Sequence, residues 1–164
     1  MGALSIVDFP AGAAAVVSGW AVTAGDVAAW CSRTDVPVPP EVVAAWGEAE
    51  DVRAFLLLDG DDPVGYGELW LDDDEHEVEI AHVLVRPDRR GRGLGRALAR
   101  GLAARARQVY PSVFLRLVPG NEAAAASYRA AGFVRMTPAQ EREWNEGQPR
   151  TYQWMAFPED SPAG

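Results

Sequence analysis

Three glycines at alternate positions, Gly91, Gly93 and Gly95, are threaded with arginines in "RRGRGLGR". An apolar run ending at Pro87 precedes them, and an alanine- and leucine-rich segment without a breaker follows. The first turn of a helix leaves N–H groups without partners and carries about half a positive charge. Glycine lets a backbone approach a phosphate closely and take up positive φ. Arginine adds forked donors beside it. A strand, this loop and a helix in that order make a cradle for a pyrophosphate, held by the amides of Arg90, Gly91, Arg92, Gly93, Leu94, Gly95 and Arg96. The loop is not a P-loop, because it lacks Gly-Lys-Ser/Thr and the chain has no lysine. Nor is it a dinucleotide fingerprint: Arg96 stands where G-x-G-x-x-G requires its last glycine.

Charge supports a small anionic ligand over a nucleic acid. The chain carries a net charge of −9, yet eight of its arginines fall between Arg86 and Arg107, opposed there only by Asp88. A basic patch on an acidic protein suits a nucleotide cofactor. The overall charge, and the lack of aromatics interleaved with the arginines, argue against binding to nucleic acid.

The elements that must position this loop follow from pattern. Residues 4–9 are a short strand. Thr23 caps a helix in "TAGDVAAW", and "PEVVAAWGEAE" is a second helix with proline in its first turn. "VRAFLLL" and "VGYGELWL" form a hairpin about the turn "DGDDP". "EVEIAHVLV" is a long strand, and a helix runs from about Gly93 to Gln108. "VFLRLV" is a strand, and "NEAAAASYRAAG" a helix with Asn121 as N-cap and Gly132 as its stop. "FVRM" and "TYQWMAF" are closing strands, and the polar interval 137–150 reads as loop. The result is one mixed α/β domain over 1–164, with a largely antiparallel central sheet flanked by helices and one parallel strand–helix–strand unit. Residues 159–164 read as a flexible tail.

Two motifs carry a family resemblance. R-x-x-G-x-G (Arg90, Gly93, Gly95) follows a strand ending in proline. One strand later comes N-x-x-A-x-x-x-Y-x-x-x-G-F (Asn121, Ala124, Tyr128, Gly132, Phe133). Together they resemble the GNAT superfamily of acyl-CoA-dependent N-acyltransferases, over about residues 63–134 in motif and over the first 50 in element order only. The resemblance implies acetyl-CoA as acyl donor and no metal. It implies that the backbone of Leu84 and Val85 pairs with the pantetheine arm, that the loop amides hold the pyrophosphate, and that Asn121 contacts the pantetheine or diphosphate region. It places Tyr128 beside the thioester sulfur, where a phenol can return a proton to the departing thiolate. The acceptor is then a primary amine, on a small molecule or a peptide, attacked directly within a ternary complex. Family members often dimerise, so a homodimer is an open expectation. The alternative reading is a non-catalytic acyl-CoA-binding sensor or interaction domain.

Acyl transfer needs a neutral amine, so a proton acceptor is expected. Glu79 sits six residues before the end of its strand, a place the base glutamate takes in some members of the superfamily. Glu68 on the preceding strand, His82 and water are the alternatives. Strict alternation puts Glu77 and Glu79 on one face with Ala81, Val83 and Val85, and His82 on the other, unless a bulge shifts the parity. Trp20, Trp30 and Trp46 read as core of the N-terminal helices. Trp30, Trp46, Trp70 and Trp144 are candidates for the acceptor pocket. His76 and His82 lack partners at metal-ligand spacing, and "DGDD" is too short for a calcium loop. Cys31, the single cysteine, cannot form an internal disulfide and reads as a small core residue. With no apolar run near 18 residues and no basic leader before an apolar core, the expected setting is cytoplasmic, without membrane contact.

Overall fold

The apolar runs of the chain align into one seven-stranded sheet of order β1-β2-β3-β4-β5-β7-β6. In the computed structural model, which describes residues 2–159, the strands are β1 (Leu4–Asp8), β2 (Val52–Asp59), β3 (Asp62–Asp72), β4 (Glu77–Val85), β5 (Ser112–Leu117), β6 (Val134–Arg135) and β7 (Gln153–Phe157). All neighbours pair antiparallel except β4 and β5, which are parallel. The helices are α1 (Ala14–Ser18), α2 (Ala24–Cys31), α3 (Pro40–Trp46), α4 (Leu94–Arg107), α5 (Glu122–Ala131) and α6 (Pro138–Trp144). The mixed α/β class and the parallel unit around α4 are as the sequence implies. The expected tail, 159–164, lies outside the described residues beyond Glu159.

Two layers cover the sheet. Helix α4 turns Leu94, Leu98, Ala99, Leu102, Ala103 and Ala106 inward, a stripe at helical spacing, against Leu69, Val78, Ile80 and Leu115. On the other face, Val17, Trp20, Val27, Trp30 and Val43 of the N-terminal segment pack with Leu56, Tyr66 and Leu84. Glycine at 67 permits the close approach of α4: a Cβ there would lie 2.5 Å from Leu102 Cδ1.

Two segments differ from the sequence expectation. The interval 137–150 is not all loop, because it contains α6. Its start is a full capping box: the Thr137 hydroxyl accepts from the Gln140 amide, and the Gln140 side chain accepts from the Thr137 amide. That T-P-x-Q signal is present in the sequence but precedes a polar stretch with no apolar period. Residues 11–18, given no structure above, form a 3₁₀ turn and α1.

The positioning of the site depends on two irregularities of β4. Tyr66 pairs with Leu84, but Glu68 pairs with Ala81. Gly67 therefore faces two residues, His82 and Val83, and His82 has φ +50°. This β-bulge reverses the alternation beyond it. Val83 and Val85 join Val78 and Ile80 on the α4 side, whereas His82 contacts Glu68 on the opposite face, beside Glu79. The shared face of Glu79 with Val83 and Val85, expected from strict period two, is thus corrected by one inserted residue. The second irregularity is a splay. Strands β4 and β5 pair only from Glu77 with Ser112 to Ile80 with Leu115. Beyond that, β4 stays paired to β3 as far as Val85, and β5 to β7 as far as Leu117, so the two strands part.

Candidate active site

The parting strands open a cavity of about 540 Å³. Its walls are Ala81–Val85 of β4, Arg116, Leu117 and Val118 at the end of β5, the glycine loop, and Asn121, Ser127 and Tyr128 of α5. The sequence-predicted residues Leu84, Val85, Arg90, Gly91, Gly93, Leu94, Gly95, Asn121 and Tyr128 all line it. Arg92 and Arg96 are exposed and do not.

The loop has the conformation that its glycines allow. Gly91 has φ +77° and Gly93, the N-cap of α4, has φ +79°, and nothing lies within 4 Å of where either Cβ would be. No side chain caps α4, so its first amides are left for an external acceptor. Gly95 does a different job: its Cβ would lie 3.1 Å from Ser127 Oγ, so glycine there sets the spacing of α4 and α5.

The arginine cluster is only partly available to a ligand. Arg86 binds Asp62, Asp88 and the Pro63 carbonyl, and Arg89 binds Asp59 and Asp62. Arg105 donates to the Ile6 carbonyl and stacks on Phe55. Arg90 donates from Nε to the Val85 carbonyl at 3.1 Å and from Nη1 to Asp26 at 3.3 Å, at the rim of the cavity. The backbone amides and the helix end are thus joined at the cradle by the guanidinium groups of Arg90, Arg92 and Arg96 around it.

Asn121 caps α5 by accepting from the Ala124 amide at 3.3 Å, as its position in the sequence implies. Tyr128, one turn before the Gly132 stop, is half-buried against Phe133, and burial pushes its phenol up to about 12. It therefore stays protonated through the neutral range.

The three proton-acceptor candidates are separated by their partners. Glu79 is 6% exposed and held by Arg116, whose Nε lies 2.9 Å from Oε1 and whose Nη2 lies 2.8 Å from the same oxygen. Burial raises its carboxyl above the usual range against the opposing effect of Arg116. Glu79 lines a second, shallower hollow of about 460 Å³ with Trp70, Phe114, Trp144, Gln148 and Trp154. Arg116 lines both hollows and lies over the Tyr152 and Trp154 rings. Glu68 is 0% exposed and accepts from the Tyr66 hydroxyl (2.6 Å) and Trp70 Nε1 (2.8 Å), and its Oε2 lies 2.9 Å from His82 Nδ1. His82 alone of the three lines the larger cavity. Its ring lies between Trp46 (4.2 Å) and Trp70 (5.1 Å), and Trp30 Nε1 donates to its carbonyl at 2.8 Å. Trp20 is core, as read from the sequence; Trp30 is core and also lines the larger cavity, whereas Trp46 packs on the core and on His82 and lines neither hollow.

The Arg116–Glu79 pair has a testable consequence. Replacing Arg116 with Met leaves a buried carboxylate without its counter-ion and should cost about 2–3 kcal/mol at pH 7, below the range of about 3–5 kcal/mol for a broken buried pair because Arg116 is 29% exposed. Glu79 already titrates above its unfolded value, and losing Arg116 raises it further. A raised carboxyl contributes stability that is complete below the unfolded value, about 4.3, and is lost as pH rises. Urea unfolding of Arg116→Met should therefore show the full deficit at pH 7 and little at pH 4.

Among the described residues, no group of three or more His, Cys, Asp or Glu is arranged to hold a metal ion, and no helix is long and apolar enough to cross a membrane. Solved structures of low sequence identity share the fold. An aminoglycoside acetyltransferase in complex with coenzyme A and kanamycin superposes with a TM-score of 0.71 at 17% identity, covering 94% of each chain. Spermidine N-acetyltransferase from Vibrio cholerae, with coenzyme A and spermine, gives 0.71 at 14% identity over 93% of this chain and 92% of that one. A mycothiol acetyltransferase from Streptomyces avermitilis is 50% identical over 58 residues, 35% of this chain. The match spans only 18% of that relative's length. The profile of the Acetyltransferase (GNAT) family matches residues 25–133, which contain both motifs and the splayed strands. The chain belongs to the GNAT acetyltransferase family.

Proposed function

We propose that this chain is an N-acetyltransferase that moves an acetyl group from acetyl-CoA to a primary amine by direct attack in a ternary complex. The observation that carries this reading is the parted edge of β4 running into two left-handed glycines and an uncapped helix start, with Tyr128 at the far wall. Those features fit acetyl-CoA. The open strand edge from Ala81 to Val85 offers backbone groups to a pantetheine arm, as to an added strand. The amides of the loop and of the first turn of α4 face its diphosphate. Bound there, acetyl-CoA supplies an activated thioester carbonyl. Tyr128 holds a proton at its hydroxyl for the sulfur that leaves.

Two of the solved structures that share the fold hold the polyamines kanamycin and spermine beside coenzyme A, and the second hollow shares Arg116 with the larger cavity. It is walled by Trp70, Phe114 and Trp144 and edged by Asp72 and Glu77. The body of the acceptor is assigned to this hollow, its reacting nitrogen pointing past Arg116 into the larger cavity.

Calorimetric titration with acetyl-CoA, with NADH and ATP as controls, tests the first half of the reading. A thiol-release assay over a panel of mono-, di- and polyamines and peptide α-amines tests the second. Selective acetyl-CoA binding with amine-dependent release supports an enzyme. Binding without release from any amine would leave a coenzyme-binding module, and no binding would remove the assignment altogether.

A further inference from the structure

We infer that His82 is the proton acceptor of the transfer, and that the buried carboxylate of Glu68 holds it in the tautomer that can act. This assignment rests on the acetyltransferase reading. Three observations converge on it. Glu79, the acceptor expected from the strand position, is already engaged by Arg116 and faces the other hollow. His82 and Tyr128 line the same cavity, His82 from β4 and Tyr128 from α5. Lastly, His82 Nδ1 lies 2.9 Å from Glu68 Oε2.

That last contact sets the chemistry. A carboxylate has no proton to give, so Nδ1 is the donor, and Nε2 is left with its lone pair. Glu68 cannot swing away, because Tyr66 and Trp70 donate to it as well. The ring cannot rotate freely between Trp46 and Trp70. Its backbone is held left-handed, which is strained for a residue with a Cβ, and the Trp30 bond to its carbonyl helps to hold it there. Without the bulge, His82 would point with Ile80 into the core under α4. Backbone strain at a titratable residue that lines a cavity is what a functional placement looks like.

The proton balance follows. As the amine nitrogen forms its bond to the acetyl carbon, the carbon–sulfur bond breaks and its electron pair stays on sulfur. The proton lost by nitrogen goes to His82 Nε2, and the sulfur takes the proton of Tyr128. Transfer from the imidazolium to the phenolate through solvent restores both groups, and the products are the amide and the free thiol. The charged and titratable groups around His82 are Glu68 and Tyr66 of β3, Glu79 of β4 with Arg116 of β5 upon it, Cys31 of α2, and Arg150 at the cavity wall. Nε2 accepts only when unprotonated, so the rate must fall towards acid pH.

His82→Asn is the appropriate variant, since asparagine tolerates the left-handed backbone. With the fastest amine of the panel, kcat/KM should fall about 10- to 100-fold at pH 7, the acidic limb of the pH–rate profile should move to higher pH and follow the ionisation of the amine itself, and the deficit should shrink at high pH, where the amine is already neutral. Acetyl-CoA affinity should be unchanged, and added imidazole should restore part of the rate. Glu68→Gln keeps an acceptor for Nδ1–H but removes the charge, so the limb should move to lower pH. Nitrogen-15 spectra of the ring test the tautomer without any substrate; the chain has two histidines, and His82→Asn identifies the signal. A native pH profile in His82→Asn, or a ring protonated at Nε2 alone, would overturn the assignment and leave the acetyltransferase reading intact. Acetyl-CoA binding with no acetylation of any amine by the native chain would overturn both. Should His82→Asn fail to fold, the direction of the Glu68→Gln shift decides.

Discussion

Gly93→Glu is expected to lower acetyl-CoA affinity by at least about a hundred-fold, while Gly93→Ala lowers it far less. Both variants place a Cβ on a residue at φ +79°, and both therefore carry the left-handed strain, about 1–2 kcal/mol in stability. The Cβ of either meets nothing within 4 Å. Their difference combines the bulk of the longer side chain in the cradle with its charge. A carboxylate about 5 Å from one charge of a diphosphate, at an effective dielectric of about 20, costs about 3 kcal/mol, and it also opposes the positive end of α4. Isothermal titration of the two variants beside the native chain reads this directly. Equal affinities for all three would mean that the diphosphate does not sit on this loop.

Tyr128→Phe is expected to leave acetyl-CoA affinity within about two-fold of native and to lower kcat by about 10²-fold or more, the usual scale for losing a positioned general acid. The structure supports a donor role in two ways. The phenol lines the cavity, and burial pushes it up to about 12, so it remains protonated wherever the amine can react. The native chain should accordingly show no alkaline loss of rate from Tyr128 below about pH 11. The phenol also bears on stability: with its folded value above the unfolded one of about 10, its contribution is complete below pH 10 and is lost as pH rises towards 12. A readout specific to the acid role is the leaving group. Replacing the acetyl donor with a thioester of a more acidic thiol should rescue Tyr128→Phe, because such a thiolate departs without help. Equal deficits for both donors would mean that Tyr128 positions the substrate and donates no proton.

The local structure at these two residues was legible before any coordinates, because it is set by near neighbours in the chain. A glycine-rich turn before a helix is a backbone property, set by φ and by amides without partners, and both are written in consecutive residues. The register from Asn121 through Tyr128 to Gly132 is one helix from cap to stop, and the cap and the stop form as that spacing implies. The mixed sheet with its parallel unit follows likewise from element order and connection length.

The face of β4 that carries His82 was not legible, and the reason is the register between strands. Period two along β4 put Glu79 with the valines and His82 on the other face, and one extra residue opposite Gly67 reversed that. Nothing within "EVEIAHVLV" marks where the bulge falls, since it is decided by how β4 aligns on β3 and by Trp30 reaching the carbonyl from α2. The fate of Glu79 was equally distant in sequence: its partner Arg116 is 37 residues away, brought level by the parallel pairing of β4 with β5. Several arginines of the basic cluster turned out to hold Asp59, Asp62 and backbone carbonyls, which charge counting could not distinguish from ligand contacts. By itself, then, the sequence determined the fold class, the glycine turn before α4 and the capped helix that carries Tyr128, because each depends on neighbours along the chain. Only the tertiary structure decided which acidic and imidazole groups share a face, which are already paired, and which residue lines the cavity, because those relations are set by contacts between strands far apart in sequence.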